Sequence, residues 1–221
     1  MANNTTPKSA KSRLAESAYS SPYSRAGAPQ PHPNGDPYEL LRRSALERLE
    51  AMGYDPKTMV ERGIIWAEDQ DPFGHVAQGQ YMHFFGTCFH RVMESYDEFL
   101  TQQEYDDMIN AKSVIPAVRK YEISIRRQVT YPDSLIAAYR QEATEPTRNG
   151  GTTSLFSLKQ QAIVAECKGS VTYMDAKTGR PIDIRTVSDG WSALYNGLLK
   201  RCEAAKALRE KWEVEHQKPK I

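Results

Sequence analysis

Tyr81, Phe84, Phe85, Cys88, Phe89, Val92, Met93 and Tyr96 recur three and four residues apart over four turns. Only an α-helix puts residues at that spacing on one face. Each such side chain is worth roughly 1.5–3 kcal/mol when fully buried, so the stripe predicts a helix inside the fold. The chain after it is β-type. Val118, Tyr121, Ile123 and Ile125 mostly alternate with polar residues, and YPDS closes that strand. SLIAAYRQEA reads as the next strand, and Asn149-Gly150 favours a hairpin. SLFSLKQQAIVAECKGSVTYMD carries two more strands, DAKTGRPI turns at Gly179, and IDIRTV ends the β region. One very apolar helix followed by antiparallel strands predicts an α+β fold in which a twisted sheet wraps a single central helix.

The flanks add helices. In DPYELLRRSALERLEAMG, Asp36 suits the cap, Pro37 the first position and Gly53 the stop. Leu40, Leu41, Ala45, Leu46, Leu49 and Met52 form its apolar stripe, and VERGIIWAED then reads as a first strand. DEFLTQQEYDDMINAKSV reads as a short helix and loop. Near the C-terminus, Trp191, Leu194, Leu198, Cys202, Ala205 and Leu208 share one helix face. The expected organisation is a disordered arm at 1–35, a helix and linker at 36–59, the sheet-and-helix domain at 60–186, and a C-terminal helix and tail at 187–221. The arm is rich in Ser, Pro, Ala and Asn and has neither helical nor strand periodicity. It lacks the apolar core of a secretory signal, so a cytoplasmic protein is expected. Lys8, Lys11, Arg13 and Arg25 against Glu16 make a mitochondrial matrix protein the alternative.

Bulk properties exclude several functions. Lysine and arginine total 29 against 28 acidic residues, which gives no electrostatic case for nucleic acid or an anionic membrane. No run approaches the roughly 20 apolar residues of a membrane span. Cys88, Cys167 and Cys202 form no CxxC pair, which suits a reducing compartment. The five histidines match no metal-ligand spacing, so no metal site is expected. His83 and His90, seven apart, read as partly exposed helical residues.

The segment EDQDPFGHV, residues 68–76, precedes the apolar helix. Asp69 and Asp71 are expected to end a strand, with the helix starting near Val76 or Ala77. The first turn of a helix presents unpaired backbone N–H groups and the positive end of the helix dipole. Such a turn can stabilise a carbonyl oxygen that gains negative charge. A carboxylate a few residues earlier can reach the same substrate as nucleophile or general base. Gly74 and Gly79 permit close backbone approach. The same residues also read as acids decorating the start of a helix.

These residues resemble a known family. EDQDPFGHV at 68–76, Tyr81 five residues later, the aromatic helix, and AECKGSVTYMDAKTGRPI at 165–182 are similar to hotdog-fold thioesterases of the 4-hydroxybenzoyl-CoA thioesterase type. The resemblance covers residues 60 to about 186. It implies a hotdog fold and hydrolysis of an acyl-CoA or aroyl-CoA thioester to free acid and CoA. It implies that Asp71 acts on the thioester, either as nucleophile or by activating water. It assigns the carbonyl-polarising backbone N–H to Gln78 or Gly79, places His75 near the substrate, and makes Tyr81 structural. It further implies a homodimer or homotetramer with the active site between subunits, and no cofactor. Many members carry Asn-Asn after Gly-His-Val, where this chain has Ala77-Gln78, so any contribution of those asparagine side chains is missing here. A hydratase or dehydratase acting on a thioester, and a non-catalytic hotdog protein binding acyl thioesters or a partner, are the alternatives.

Overall fold

The computed structural model describes residues 36–216, so the expected arm at 1–35 and the tail end at 217–221 lie outside the described residues. In chain order the elements are α1 (Glu39–Ala51), β1 (Val60–Gly63), α2 (Trp66–Asp69), α3 (Gln78–Glu94) and α4 (Gln102–Ile109). They continue with β2 (Val114–Ile125), β3 (Ser134–Glu145), β4 (Arg148–Ser157), β5 (Ala162–Asp175) and α5 (Asp189–Glu215). The strands form one antiparallel sheet in the order β1-β3-β4-β5-β2.

The helix expected inside the fold is α3. Its Tyr81, Phe84, Phe85 and Cys88 pack against Leu135, Ala137, Leu155, Ala165 and Cys167 on one face of the sheet. Successive strand residues point to opposite faces, so the intervening Ile136, Ala138 and Phe156 face the other way. There α1 covers them with Ala45 and Leu49. The far end of α3 meets a second cluster, where Val92 and Tyr96 pack with Tyr173, Trp191, Leu194 and Leu198. α5 thereby closes the end of the wrap. Gly151 is needed in that layer, because a Cβ there would lie 2.5 Å from the Tyr139 hydroxyl.

The two sheet edges differ. Among the described residues β1 pairs only with the Ser134–Ala137 end of β3. Beyond it the edge of β3 is capped, since Asp55 N–H donates to the Tyr139 carbonyl at 2.9 Å and Arg140 donates to the Met52 carbonyl at 3.3 Å. β2 is an open edge. It carries partly exposed apolar side chains at Val118 (43%), Tyr121 (40%), Ile123 (38%) and Ile125 (45%).

Several local expectations need correction. The first strand stops at Gly63, and residues 66–69 form the single helical turn α2. The reason is Asp69, whose side chain turns back to accept the Ile65 N–H at 2.7 Å. The β3–β4 turn lies at Pro146-Thr147, and Asn149 and Gly150 belong to β4. Asn149 is buried there, bonded to Gln141 and donating to the Tyr96 hydroxyl at 3.4 Å, so a core polar contact overrides its turn preference. Residues 184–186 of IDIRTV form a 3₁₀ turn capped by Asp183, which accepts the Arg185 N–H at 3.0 Å. Tyr38 rather than Asp36 is the N-cap of α1, while Asp36 accepts the Tyr38 N–H at 2.9 Å. Gly53, at φ 84°, stops that helix as expected.

Candidate active site

The segment between α2 and α3 is a closed loop. Gln70 and Val76 form an antiparallel bridge, and His75 bridges Thr130. Within it Asp71 N–H donates to the His75 carbonyl at 2.8 Å, and Gly74 N–H donates to the Asp71 carbonyl at 3.1 Å. The Asp71 side chain completes the turn. Its Oδ1 accepts the N–H of Phe73 at 2.9 Å and of His75 at 3.0 Å. Gly74 takes φ 79°, a left-handed conformation that costs a residue with a Cβ. Asp-Pro-Phe-Gly-His is therefore a loop that fixes one carboxylate oxygen by two amides.

The loop leads directly into α3. Ala77 is the N-cap and supplies no side-chain acceptor. Its own N–H is used, donating to the Asp69 carbonyl at 2.8 Å, and Gln80 N–H returns to the Ala77 carbonyl at 3.0 Å. The N–H groups of Gln78 and Gly79, at the first two helical positions, meet no acceptor among the described residues. A Cβ on Gly79 would have open space around it, so the approach to these amides is clear. Gly86 likewise faces open space, so the close backbone approach its size allows does not occur there. The Asp71 carboxylate lies near the start of α3. Burial, and to a lesser extent that carboxylate, push the Tyr81 phenol above its usual pKa, against a hydrogen bond to the Val129 backbone. Tyr81 is buried in the core.

His75 is half-buried, and only its backbone is held by the loop. Around the loop the surface is apolar. Trp66 and Phe73 are exposed, and Trp66 packs edge-on to Tyr131 with ring centroids 5.6 Å apart. Cavities of about 30, 330, 290 and 200 Å³ lie elsewhere, and Asp71 lines none of the four.

One site residue was not legible beforehand. Asp69 is wholly buried, with Oδ1 3.0 Å from an Arg62 guanidinium nitrogen. The contact is at ion-pair distance without the alignment of a hydrogen bond. The same guanidinium lies over the Phe84 ring, 4.9 Å from its centroid. Asp69 thus ties β1, α2 and α3 together beneath the loop and does not share the solvent-facing charge of Asp71. No spacing rule links Arg62 to Asp69, because the pair forms only once the chain reverses at α2.

Thiol chemistry is disfavoured. Burial pushes Cys88 up and Cys167 up to about 11, so neither is a thiolate at neutral pH. Among the described residues no group of three His, Cys, Asp or Glu side chains is placed to hold a metal ion, and no helix is long and apolar enough to cross a membrane.

A five-stranded antiparallel sheet curled on one helix, with a carboxylate loop at that helix's uncapped N-terminus, defines a hotdog-fold protein. Residues 65–196, more than half of the chain, match the sequence model of the thioesterase-like superfamily, and the chain belongs to that superfamily. No curated protein matches it. Among solved structures, a DHNA-CoA thioesterase from Staphylococcus aureus is similar at 16% identity and TM-score 0.53, over 70% of this chain and 93% of that one. A second Staphylococcus aureus protein, solved in complex with CoA, is similar at 11% identity and TM-score 0.54, over 65% and 84%. A 1,4-dihydroxy-2-naphthoyl-CoA thioesterase from Synechocystis is similar at 13% identity and TM-score 0.50, over 62% and 94%. At these identities the likeness establishes the shared fold.

Proposed function

We propose that the protein hydrolyses an acyl-CoA or aroyl-CoA thioester to the free acid and CoA, with Asp71 as the catalytic carboxylate. The observation that carries this reading is a loop-anchored carboxylate followed by two amides, Gln78 and Gly79, that no acceptor among the described residues uses. It is supported by membership of the thioesterase-like superfamily and by a structural neighbour solved with CoA.

Asp71 either attacks the thioester carbonyl carbon, forming an anhydride that water then opens, or takes a proton from the attacking water. In both routes the carbonyl oxygen becomes negative, and the N–H groups of Gln78 and Gly79 receive it where the helix dipole is positive. The C–S bond then breaks and CoA leaves as the thiolate. Nothing in this sequence calls for a metal or cofactor. His75 lies on the same loop and contacts the substrate, while Trp66, Phe73 and Tyr131 offer it an apolar flank. The free thiols Cys88, Cys167 and Cys202 suit a cytoplasmic enzyme.

A panel of CoA thioesters followed by free-thiol release tests the reading. Thiol release from saturated acyl-CoA or aroyl-CoA supports it. Turnover of an enoyl-CoA alone replaces it with hydration, and stabilisation by thioesters without thiol release replaces it with binding. The oxyanion role has its own test. Gln78→Pro removes one amide at the position where proline suits a helix, and Ala77 already has the extended backbone that precedes proline (φ −63°, ψ 144°). We expect kcat to fall by about 10²–10³-fold with the fold retained. An unchanged kcat assigns the oxyanion to Gly79 alone or to another group.

One chain leaves Asp71 on an open surface, and an active site excluding water needs a second wall. The open β2 edge, with Tyr121, Ile123 and Ile125 partly exposed, suits pairing with a second copy. We therefore expect a dimer, and Ile123→Lys to shift it toward monomer in sedimentation analysis while lowering activity in parallel. A monomeric wild type that hydrolyses thioesters at full rate would overturn the shared-site arrangement.

A further inference from the structure

On the outer face of the sheet, away from α3, a hollow of about 200 Å³ is lined by Arg119, Thr147, Arg148, Ser170, Thr172 and Pro181. We infer that this hollow is a binding site for a phosphate group.

The strand register builds it. Arg148 on β4 pairs with Thr172 on β5, which in turn pairs with Ala117 on β2. One row along, Gly150 pairs with Ser170, which pairs with Lys120. Ala117 and Gly150 put no bulk on this face, so the surface sinks between the rows. The register of β2 shifts between Val118 and Lys120, leaving Arg119 as the extra residue of a bulge. A bulge re-aims the side chain it carries, and Arg119 comes to line the hollow opposite Arg148.

The chemistry of the lining points to an anion. Two arginines and three hydroxyl-bearing residues, Thr147, Ser170 and Thr172, line it, and no carboxylate is among its lining residues. Several arginines elsewhere face acids, as in Arg42–Glu61, Arg126–Glu166, Arg140–Glu142 and Arg201–Glu98. Arg119 has no ion pair or hydrogen bond among the described residues. Arg148 holds Glu145 at 3.4 Å, with both side chains mostly exposed, so water screens that pair and an anion can compete for it. Nearby Lys120 is taken by Glu122. A planar guanidinium fork grips two oxygens of a tetrahedral phosphate, and hydroxyl donors satisfy the others. A carboxylate ligand would leave part of this donor set unused.

Two sources carry that group: free inorganic phosphate, and the phosphates of a CoA held by a second copy, because the hollow lies at the opposite end of β4 from this chain's own Asp71 loop. The CoA source rests on the function proposed above. Titration calorimetry on the full chain separates them, using CoA, dephospho-CoA and inorganic phosphate against wild type, Arg119→Gln and Arg148→Gln. CoA should bind wild type about tenfold more tightly than dephospho-CoA, a difference that both variants abolish. Thiol release from a pantetheine thioester, which carries no nucleotide phosphates, should be unaffected in both variants. Inorganic phosphate bound by wild type and not by the variants, with CoA and dephospho-CoA equal, keeps the site and makes free phosphate its ligand. The inference is overturned if no phosphate-bearing probe distinguishes wild type from the variants. Failure of every thioester to be hydrolysed would instead sink the thioesterase reading and leave the phosphate titrations standing.

Discussion

Asp71→Asn is expected to lower thioester hydrolysis by about 10²–10⁴-fold in kcat, the range typical of losing a positioned acid–base group. Asparagine is the informative replacement. Its amide oxygen still accepts the N–H groups of Phe73 and His75, so the turn that Oδ1 closes is preserved. What disappears is the negative charge, which both the nucleophilic and the general-base role require. The variant should therefore melt close to wild type while releasing almost no thiol. Asp71→Ala removes the charge and also both loop hydrogen bonds, so it should lose activity and some stability together. Comparing the two separates chemistry from loop structure. Wild-type turnover in Asp71→Asn would remove Asp71 from the mechanism and leave the residue as a turn former only.

Asp69→Ala is expected to act almost entirely on stability. It strips the Asp69 contact from Arg62, whose guanidinium lies against Phe84. Breaking a buried ion pair in this way costs about 3–5 kcal/mol, or roughly 10 °C in melting temperature for a chain of this size. The loss has a second component, because the Ile65 N–H also gives up its acceptor. Replacing both members of the pair by apolar residues of similar volume should recover much of the loss, since a buried pair replaced whole costs far less than a pair broken on one side. Thermal unfolding of the two single variants and the double variant measures this. If Asp69→Ala costs less than about 1 kcal/mol, the pair is as weak as an exposed one and the anchoring role falls.

These two aspartates show where sequence reasoning succeeds and where it stops. Both sit in one acidic run two residues apart, and as a string they are interchangeable. The neighbours of Asp71 are local. Phe73 and His75 lie within four residues, so the turn they form with it is encoded by adjacent Pro, Gly and backbone amides. The partner of Asp69 is Arg62 across a strand end and a helical turn, and no periodicity marks that contact. The same limit explains the misplaced hairpin. Asn149-Gly150 has the composition of a turn, yet the buried contacts of Asn149 with Gln141 and Tyr96 draw it into β4. It also explains the overlong first strand, which β-type residues favoured until the Asp69 side chain closed α2.

The amino-acid order by itself determined the central helix, because a stripe at 3.6-residue spacing is a property of the chain alone. The antiparallel strands followed from the two-residue alternation, and the exposed amides at the start of α3 followed from helix geometry. Tertiary structure decided everything that depends on which distant segments meet. It buried one aspartate and left its neighbour at the surface, covered one sheet edge and opened the other, and hollowed the outer face between two arginines. The physical reason is range: hydrogen-bond periodicity acts over three or four residues, whereas burial and charge pairing are set by neighbours in space.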